Sequence, residues 1–174
     1  MVGLGKEKHM GLDMYLFARG GTNADTGERI EDDEIGYWRK FNALHSLMLD
    51  VGGADPDSNC EEVPLTLENL QHIYDICKKV KDILDKAPKL DYDDDWDVRE
   101  VEVDDPLTHD GPYFFNEETK EQVCELMEPK SGFFWGDTDI DDFYHVKVTH
   151  TIPILEKAIE LAKQGEEIYY YCWW

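Results

Sequence analysis

Basic residues are scarce in this chain of 174 residues: 17 lysines and arginines stand against 40 aspartates and glutamates, a formal charge of −23. A surface so short of cations cannot neutralise a run of phosphates or lie on an anionic bilayer, so direct nucleic-acid binding and anionic-lipid docking are excluded. Long apolar runs are also missing. No stretch approaches the ~20 residues of a membrane-spanning helix, and the start of the chain, with Lys6, Glu7, Lys8 and His9, lacks a signal-peptide core. A soluble protein of the cytoplasm, with no membrane partner, is expected. Cys60, Cys77, Cys124 and Cys172 are far apart with no CxxC pair, so four reduced thiols are expected. There is no Gly-x-x-x-x-Gly-Lys-Ser/Thr loop and no Gly-x-Ser-x-Gly elbow, and no cofactor is called for.

What is present is enough apolar material for a core. Hydrophobic residues make up 41% and aromatics 12%, more than a disordered acidic tail carries. One domain spanning 1–174 is expected, with residues 1–9 as a flexible lead and 85–115 as an acidic, aromatic insertion.

Residues 11–17 alternate, with Leu12, Met14 and Leu16 on one face and Asp13, Tyr15 and Phe17 on the other, which predicts a strand. Gly20, Gly21, Asn23, Asp25 and Gly27 predict the tip of a hairpin. A helix is expected from about Asp33 to Leu49, on the spacing of Tyr37, Phe41, Leu44 and Met48, with acidic residues 31–34 at its start and Gly52–Gly53 ending it. A second helix is expected over 66–84, capped by Thr66 and burying Leu67, Leu70, Ile73, Cys77, Val80 and Leu84, with Pro88 beyond it. A third starts after Asn116 and ends before Pro129. Residues 131–136 and 143–148 read as two strands around a turn at 137–142. A last helix over 149–164 would hold Pro153 in its first turn and end at Gly165, and Ile168 to Trp174 would close the chain as an aromatic strand. Together these predict an α+β fold: a small, mainly antiparallel sheet packed by about four helices.

Residues 10–17 (MGLDMYLF), 36–45 (GYWRKFNALH), 131–136 (SGFFWG) followed by 139–144 (DIDDFY), and the closing 168–173 (IYYYCW) resemble an uncharacterised family of small bacteriophage and prophage proteins. The similarity covers most of the chain outside 85–115. It implies no activity; it implies a phage context, and a start at the position of Met10. A phage protein without a catalytic motif often binds a host factor, an inference by association.

Two groupings bear on chemistry. On the helix expected over 33–49, Trp38, Asn42 and His45 share a stripe with Arg39 one position round; facing Asp13, they would give a small anion or nucleotide pocket of Asp13, Arg39, Asn42 and His45. The plainer reading is a satisfied structural network. Asp91, Asp93, Asp95 and Asp97, with Glu102 at the twelfth position, imitate EF-hand spacing, but Trp96 stands where the sharp turn needs glycine. Asp137, Asp139 and Asp141 repeat the pattern with Asp142 at that position. His145 and His150 have no cysteine near them for zinc, so no metal is expected.

Charge placement is the most unusual feature. Residues 91–105 hold nine acids (Asp91, Asp93, Asp94, Asp95, Asp97, Glu100, Glu102, Asp104, Asp105) and one base, Arg99. This tract reads either as a solvated loop or as a recognition surface, with Tyr92, Trp96, Tyr113, Phe114 and Phe115 as apolar anchors. A compact chain of this length is about 40 Å across, and duplex DNA of that length carries roughly 24 phosphates, the same order as the net charge. The first expectation is therefore a phage-derived binding protein that blocks a host nucleic-acid-handling or defence protein with a basic cleft, in the manner of anti-restriction or anti-CRISPR proteins. The second is a small nucleotide- or anion-binding enzyme using the Asp13 cluster, and the third is a structural or assembly role in the phage particle.

Overall fold

The computed structural model describes residues 11–132 and 135–174. The elements are β1 (Asp13–Ala18), β2 (Asp33–Arg39), α1 (Asn42–Gly52), β3 (Glu62–Leu65), α2 (Leu67–Lys86), β4 (Lys89–Tyr92), β5 (Val98–Val101), α3 (Glu117–Met127), α4 (Asp142–Lys163) and β6 (Ile168–Trp173). The fold is α+β. Its main sheet has the order β2-β1-β6-β3 with every pairing antiparallel, and β4 and β5 form a separate two-stranded sheet. No described helix is long and apolar enough to cross a membrane.

Alternation decides which sheet face is buried. Met14, Leu16, Trp38, Tyr170 and Cys172 point into the core and are almost wholly inaccessible. The described helices lie on that side, α1, α2 and α4 against the strands and α3 against α1 and α2. α2, with Leu70, Ile73, Cys77, Val80 and Leu84 on one stripe, packs against α4 and α3, and Val123 and Met127 of α3 and Val148, Leu155 and Ala158 of α4 complete the core. Burying a large aliphatic side chain contributes about 1.5–3 kcal/mol, so this layer is the main source of stability.

The opposite sheet face carries no helix. Pairing register sets its side chains in three rows: Arg39, Asp13 and Trp173; Tyr37, Tyr15, Tyr171 and Glu62; Glu34, Phe17, Tyr169 and Pro64. Rings touch across and along strands, with centroids 5.1 Å apart for Tyr15 and Tyr37, 5.8 Å for Tyr15 and Phe17, and 5.3 Å for Phe17 and Tyr169.

The strand over 13–18, its hairpin loop, the second and third helices and the closing strand form as expected. Thr66 caps α2 through a capping box with Asn69, Asn116 accepts from the Thr119 amide at the start of α3, and Gly53 and Gly165 follow α1 and α4 with φ of 68° and 94°. β3 is an edge strand that carries no sequence signal beyond Val63 and Leu65, and its Pro64 is tolerated because an edge leaves one side unpaired.

Two expectations fail. Residues 33–49 are not one helix: 33–39 form β2, and the helix starts at Asn42. Tyr37, 39% exposed, faces out while Trp38 faces in, a two-residue period set by pairing with β1. Lys40, at φ 52°, turns the chain between the two elements, which leaves residues 31–34 far from any helix start. Nor do residues 131–136 and 143–148 form a hairpin. Phe133 and Phe134 lie outside the described residues, the four around them belong to no strand, and 143–148 are the opening turns of α4. Asp141 caps that helix by accepting from the Tyr144 amide at 3.1 Å. His145, Val148, Ile152, Leu155 and Ile159 are then buried at steps of three, four, three and four, and this burial overrides the β-propensity of the valines. Pro153 consequently sits mid-helix rather than in the first turn, on the exposed side, where its ring replaces the amide that would bond to Thr149.

Candidate functional site

The acidic segment is a built structure. Leu90 and Phe114 exchange backbone hydrogen bonds of 2.9 and 2.8 Å, tying β4 to the returning chain, while β4 pairs with β5 from Lys89–Val101 to Tyr92–Val98. At the tip, Asp93 Oδ1 accepts from the amides of Asp95 and Asp97, each at 3.0 Å, so one carboxylate organises the turn. Trp96 takes the left-handed conformation at φ 65° and is 80% exposed. An indole held out this far buries little within its own chain. Tyr92 stacks on Phe114 at 5.0 Å and leans toward Trp96 at 6.1 Å, giving the indole an apolar footing.

Around that footing Asp94, Asp95, Asp97, Glu100, Glu102, Asp104 and Asp105 are exposed, while Asp91 and Asp93 are half-buried. Arg99 pairs with Asp91 at 3.3 Å. The proposed aromatic anchors divide into two sets. Trp96 and Tyr92 face solvent, whereas Tyr113 and Phe115 belong to the core. Their burial shows why a hydrophobic count within a tract does not tell an anchor from a root.

The root of the segment is a buried polar chain. His145, 1% exposed, lies between the Tyr113 hydroxyl at 3.0 Å from Nδ1 and Asp85 Oδ1 at 2.9 Å from Nε2. Burial pushes the imidazole below its usual range against the pull of Asp85, so it is neutral near pH 7. Because the carboxylate only accepts, Nε2 carries the proton and Nδ1 accepts from Tyr113. Burial raises Asp85, but hydrogen bonds from Lys81 and His145 outweigh it and leave the carboxyl below its ordinary value. Lys89 donates to the Asp85 carbonyl. α2, α4 and the acidic segment thus meet at one histidine.

The Asp13 cluster does not assemble. Asp13 and Arg39 are register partners on the outer sheet face, 3.8 Å apart, and Asp13 also accepts from the Tyr37 hydroxyl at 2.6 Å. Asn42 points elsewhere: its amide donates to the carbonyls of Trp135 and Asp137, and its oxygen accepts from the Lys130 amide at 2.9 Å, stapling the 130–137 loop to α1. His45 is fully buried, 2.7 Å from the Tyr170 hydroxyl through Nδ1 and edge-on to Trp135 and Trp174. Burial alone lowers its pKa to about 4. The four residues serve three separate networks, because the break at Lys40 puts Arg39 on a strand and Asn42 on a helix.

Among the described residues, no group of three or more His, Cys, Asp or Glu is placed to hold a metal ion. The EF-hand-like spacing over 91–102 is folded into the β4–β5 hairpin, which ends with no helix leading out of it. All four cysteines are free, and burial pushes Cys77 up to about 12 and Cys172 up to about 11, away from nucleophilic character. Comparison of the chain with protein-family models, with curated proteins and with solved structures gives no match.

Proposed function

We propose that this chain is an acidic binding protein that occupies a basic surface on a protein partner, with the β4–β5 hairpin as the contacting element. The single observation that supports this reading is Trp96: an indole 80% exposed at the tip of an ordered hairpin, ringed by carboxylates. Ordering such a tip costs conformational entropy and returns little burial to the fold, whereas tryptophan is favoured as an interface anchor. The carboxylates would steer approach, and the indole would fill an apolar pocket beside the cationic groups. With the resemblance to phage proteins, the target class is a host protein that handles or defends against nucleic acid, its phosphate-binding cleft blocked by charge mimicry.

The test is capture from bacterial lysate with the unaltered chain, with Trp96→Ala, and with a quadruple variant (Asp94→Asn, Asp95→Asn, Asp97→Asn, Glu100→Gln). The expected partner is basic, is released by duplex DNA in competition and by raised salt, and is lost with either variant. A partner that both variants retain, or one indifferent to DNA, sinks the proposal.

A further inference from the structure

The helix-free side of the main sheet presents six aromatic rings in one layer, of which Tyr169 is buried and the other five are partly or largely exposed. The rings lie open over a shallow hollow of about 510 Å³ along β1 and β6, lined by Tyr15, Phe17, Tyr171 and Trp173 with Cys60 and Glu62 at its rim. Two tyrosine hydroxyls are already engaged: Tyr37 donates to Asp13 and Tyr169 to Asp32, each at 2.6 Å. Apolar ring surface makes up most of what the hollow presents to a ligand.

The protein itself shows what those faces accept. The Arg19 guanidinium lies 4.5 Å from the centroid of Tyr169 and covers that ring, while its nitrogens reach Glu62 at 2.5 Å, Glu167 at 3.4 Å and Asp32 at 3.8 Å. A flat cation over an aromatic ring with carboxylates at its edge is favourable by both dispersion and charge. Tyr15, Phe17 and Tyr37 touch neighbouring rings within the layer, but no cation from the described residues lies over them or over Tyr171 and Trp173.

Size and charge select the ligand. Four strands ~4.8 Å apart and four to seven residues long give a face of roughly 400 Å² at most, no more than about half of the ~800 Å² per partner that a stable dimer buries. Two copies would also bring together two chains of charge −23. Phosphates would meet Asp13, Asp32, Glu34, Glu62 and Glu167 against Arg19, Arg29 and Arg39, each of which is already paired with one of those carboxylates. We propose that this aromatic face docks an arginine-bearing segment of a protein partner, each guanidinium lying flat on a ring and pairing with a rim carboxylate. The inference uses none of the hairpin residues and stands even if Trp96 contacts nothing.

The probes are nona-arginine and nona-lysine, titrated at about 150 mM salt into the quadruple hairpin variant so that the acidic tip does not dominate. Nona-arginine binds about fivefold or more tightly than nona-lysine, and Tyr15→Ser with Tyr171→Ser abolishes that preference. In the unaltered chain, aromatic carbon–proton shifts on adding nona-arginine concentrate at Tyr15, Phe17, Tyr37, Tyr171 and Trp173; this map decides the matter if the double variant does not fold. Equal affinity for the two peptides, or shifts lying away from these rings, overturns the proposal. So does a sedimenting dimer that the tyrosine substitutions dissociate, which would give the face to a second copy, or saturable binding of oligo-dT to the same rings.

Discussion

His145 Nε2 donates to Asp85 Oδ1 across 2.9 Å, joining the middle of the helical layer to the root of the acidic segment. Tyr113 completes the chain at Nδ1, so the hairpin is fastened to the core by a side chain that solvent does not reach. His145→Ala leaves the buried Tyr113 hydroxyl without a partner and opens a cavity, a destabilisation of about 2–4 kcal/mol. Hydrogen exchange should show the loss concentrated in residues 89–101, measured against chemical-denaturant midpoints for the whole chain. Uniform loss of protection, with no excess in the hairpin, would contradict the fastening role.

Acid should weaken the fold through His45. Its folded pKa near 4 lies below the ~6.5 of an unfolded histidine, so below pH 6.5 the unfolded chain binds the proton more readily than the folded one. Stability is therefore fully present above pH 6.5 and falls as pH drops toward 4, by up to about 3 kcal/mol. His145, shifted in the same direction, adds to the same slope. Urea midpoints between pH 7 and 4.5 measure it, and His45→Gln, which stays neutral and can still hydrogen-bond to the Tyr170 hydroxyl, should flatten the curve.

Asn42 satisfies three backbone groups of the 130–137 loop at once. Asn42→Ala removes those partners and costs about 1–3 kcal/mol. Asn42→Asp should be the worse substitution, because a carboxylate would face the carbonyls of Trp135 and Asp137. Thermal melts order the three proteins, and an aspartate variant as stable as the alanine one would argue against this geometry.

Gly36 lies where β2 meets α4. A Cβ there would stand 2.4 Å from Ile154 Cγ2 and 3.0 Å from the Trp38 ring, so Gly36→Ala overpacks the contact and destabilises by about 1–3 kcal/mol. Ile154→Ala in the same chain clears the space, and the double variant should regain part of the loss; strict additivity of the two single effects would refute the clash.

Trp96 gives the opposite kind of prediction. Its side chain is exposed and its backbone left-handed, so Trp96→Gly relieves strain and raises stability by up to about 1 kcal/mol. Binding to a basic partner should be lost by the same change. A variant both less stable and still binding would mean that the indole serves the fold.

Much of the fold can be read wherever period and punctuation agree. In α2, Leu70, Ile73, Cys77, Val80 and Leu84 repeat at helical spacing behind a Thr66 cap, and the structure follows them. Residues 33–41 were harder, because Tyr37, Phe41, Leu44 and Met48 fit a helical stripe by coincidence across two elements. The deciding fact is that Trp38 is inserted under the sheet, where its indole donates to Thr151 Oγ1 at 2.8 Å, a contact with another part of the chain. Over 143–148 the error ran the other way: His145 and Val148 begin a three-four repeat that continues through Ile159, but the local run of aromatic and β-branched residues masks it. The Asp13 cluster was misread for the same reason as 33–41, since its spacing argument assumed one helix. The outer aromatic face was half legible, with Asp13, Tyr15 and Phe17 alternating visibly; its other half needed the pairing of β1 with β6.

That pairing also governs assembly. β6 is the only link between β1 and β3, so the sheet closes through contacts between opposite ends of the described chain. Closing so long a loop comes before any reward from the pairing, which slows folding. Without residues 168–173, β1 and β3 would each have an unsatisfied edge where β6 now pairs. Chains interrupted before that point would be templates for self-association, and the heavy negative charge would then be what keeps them apart.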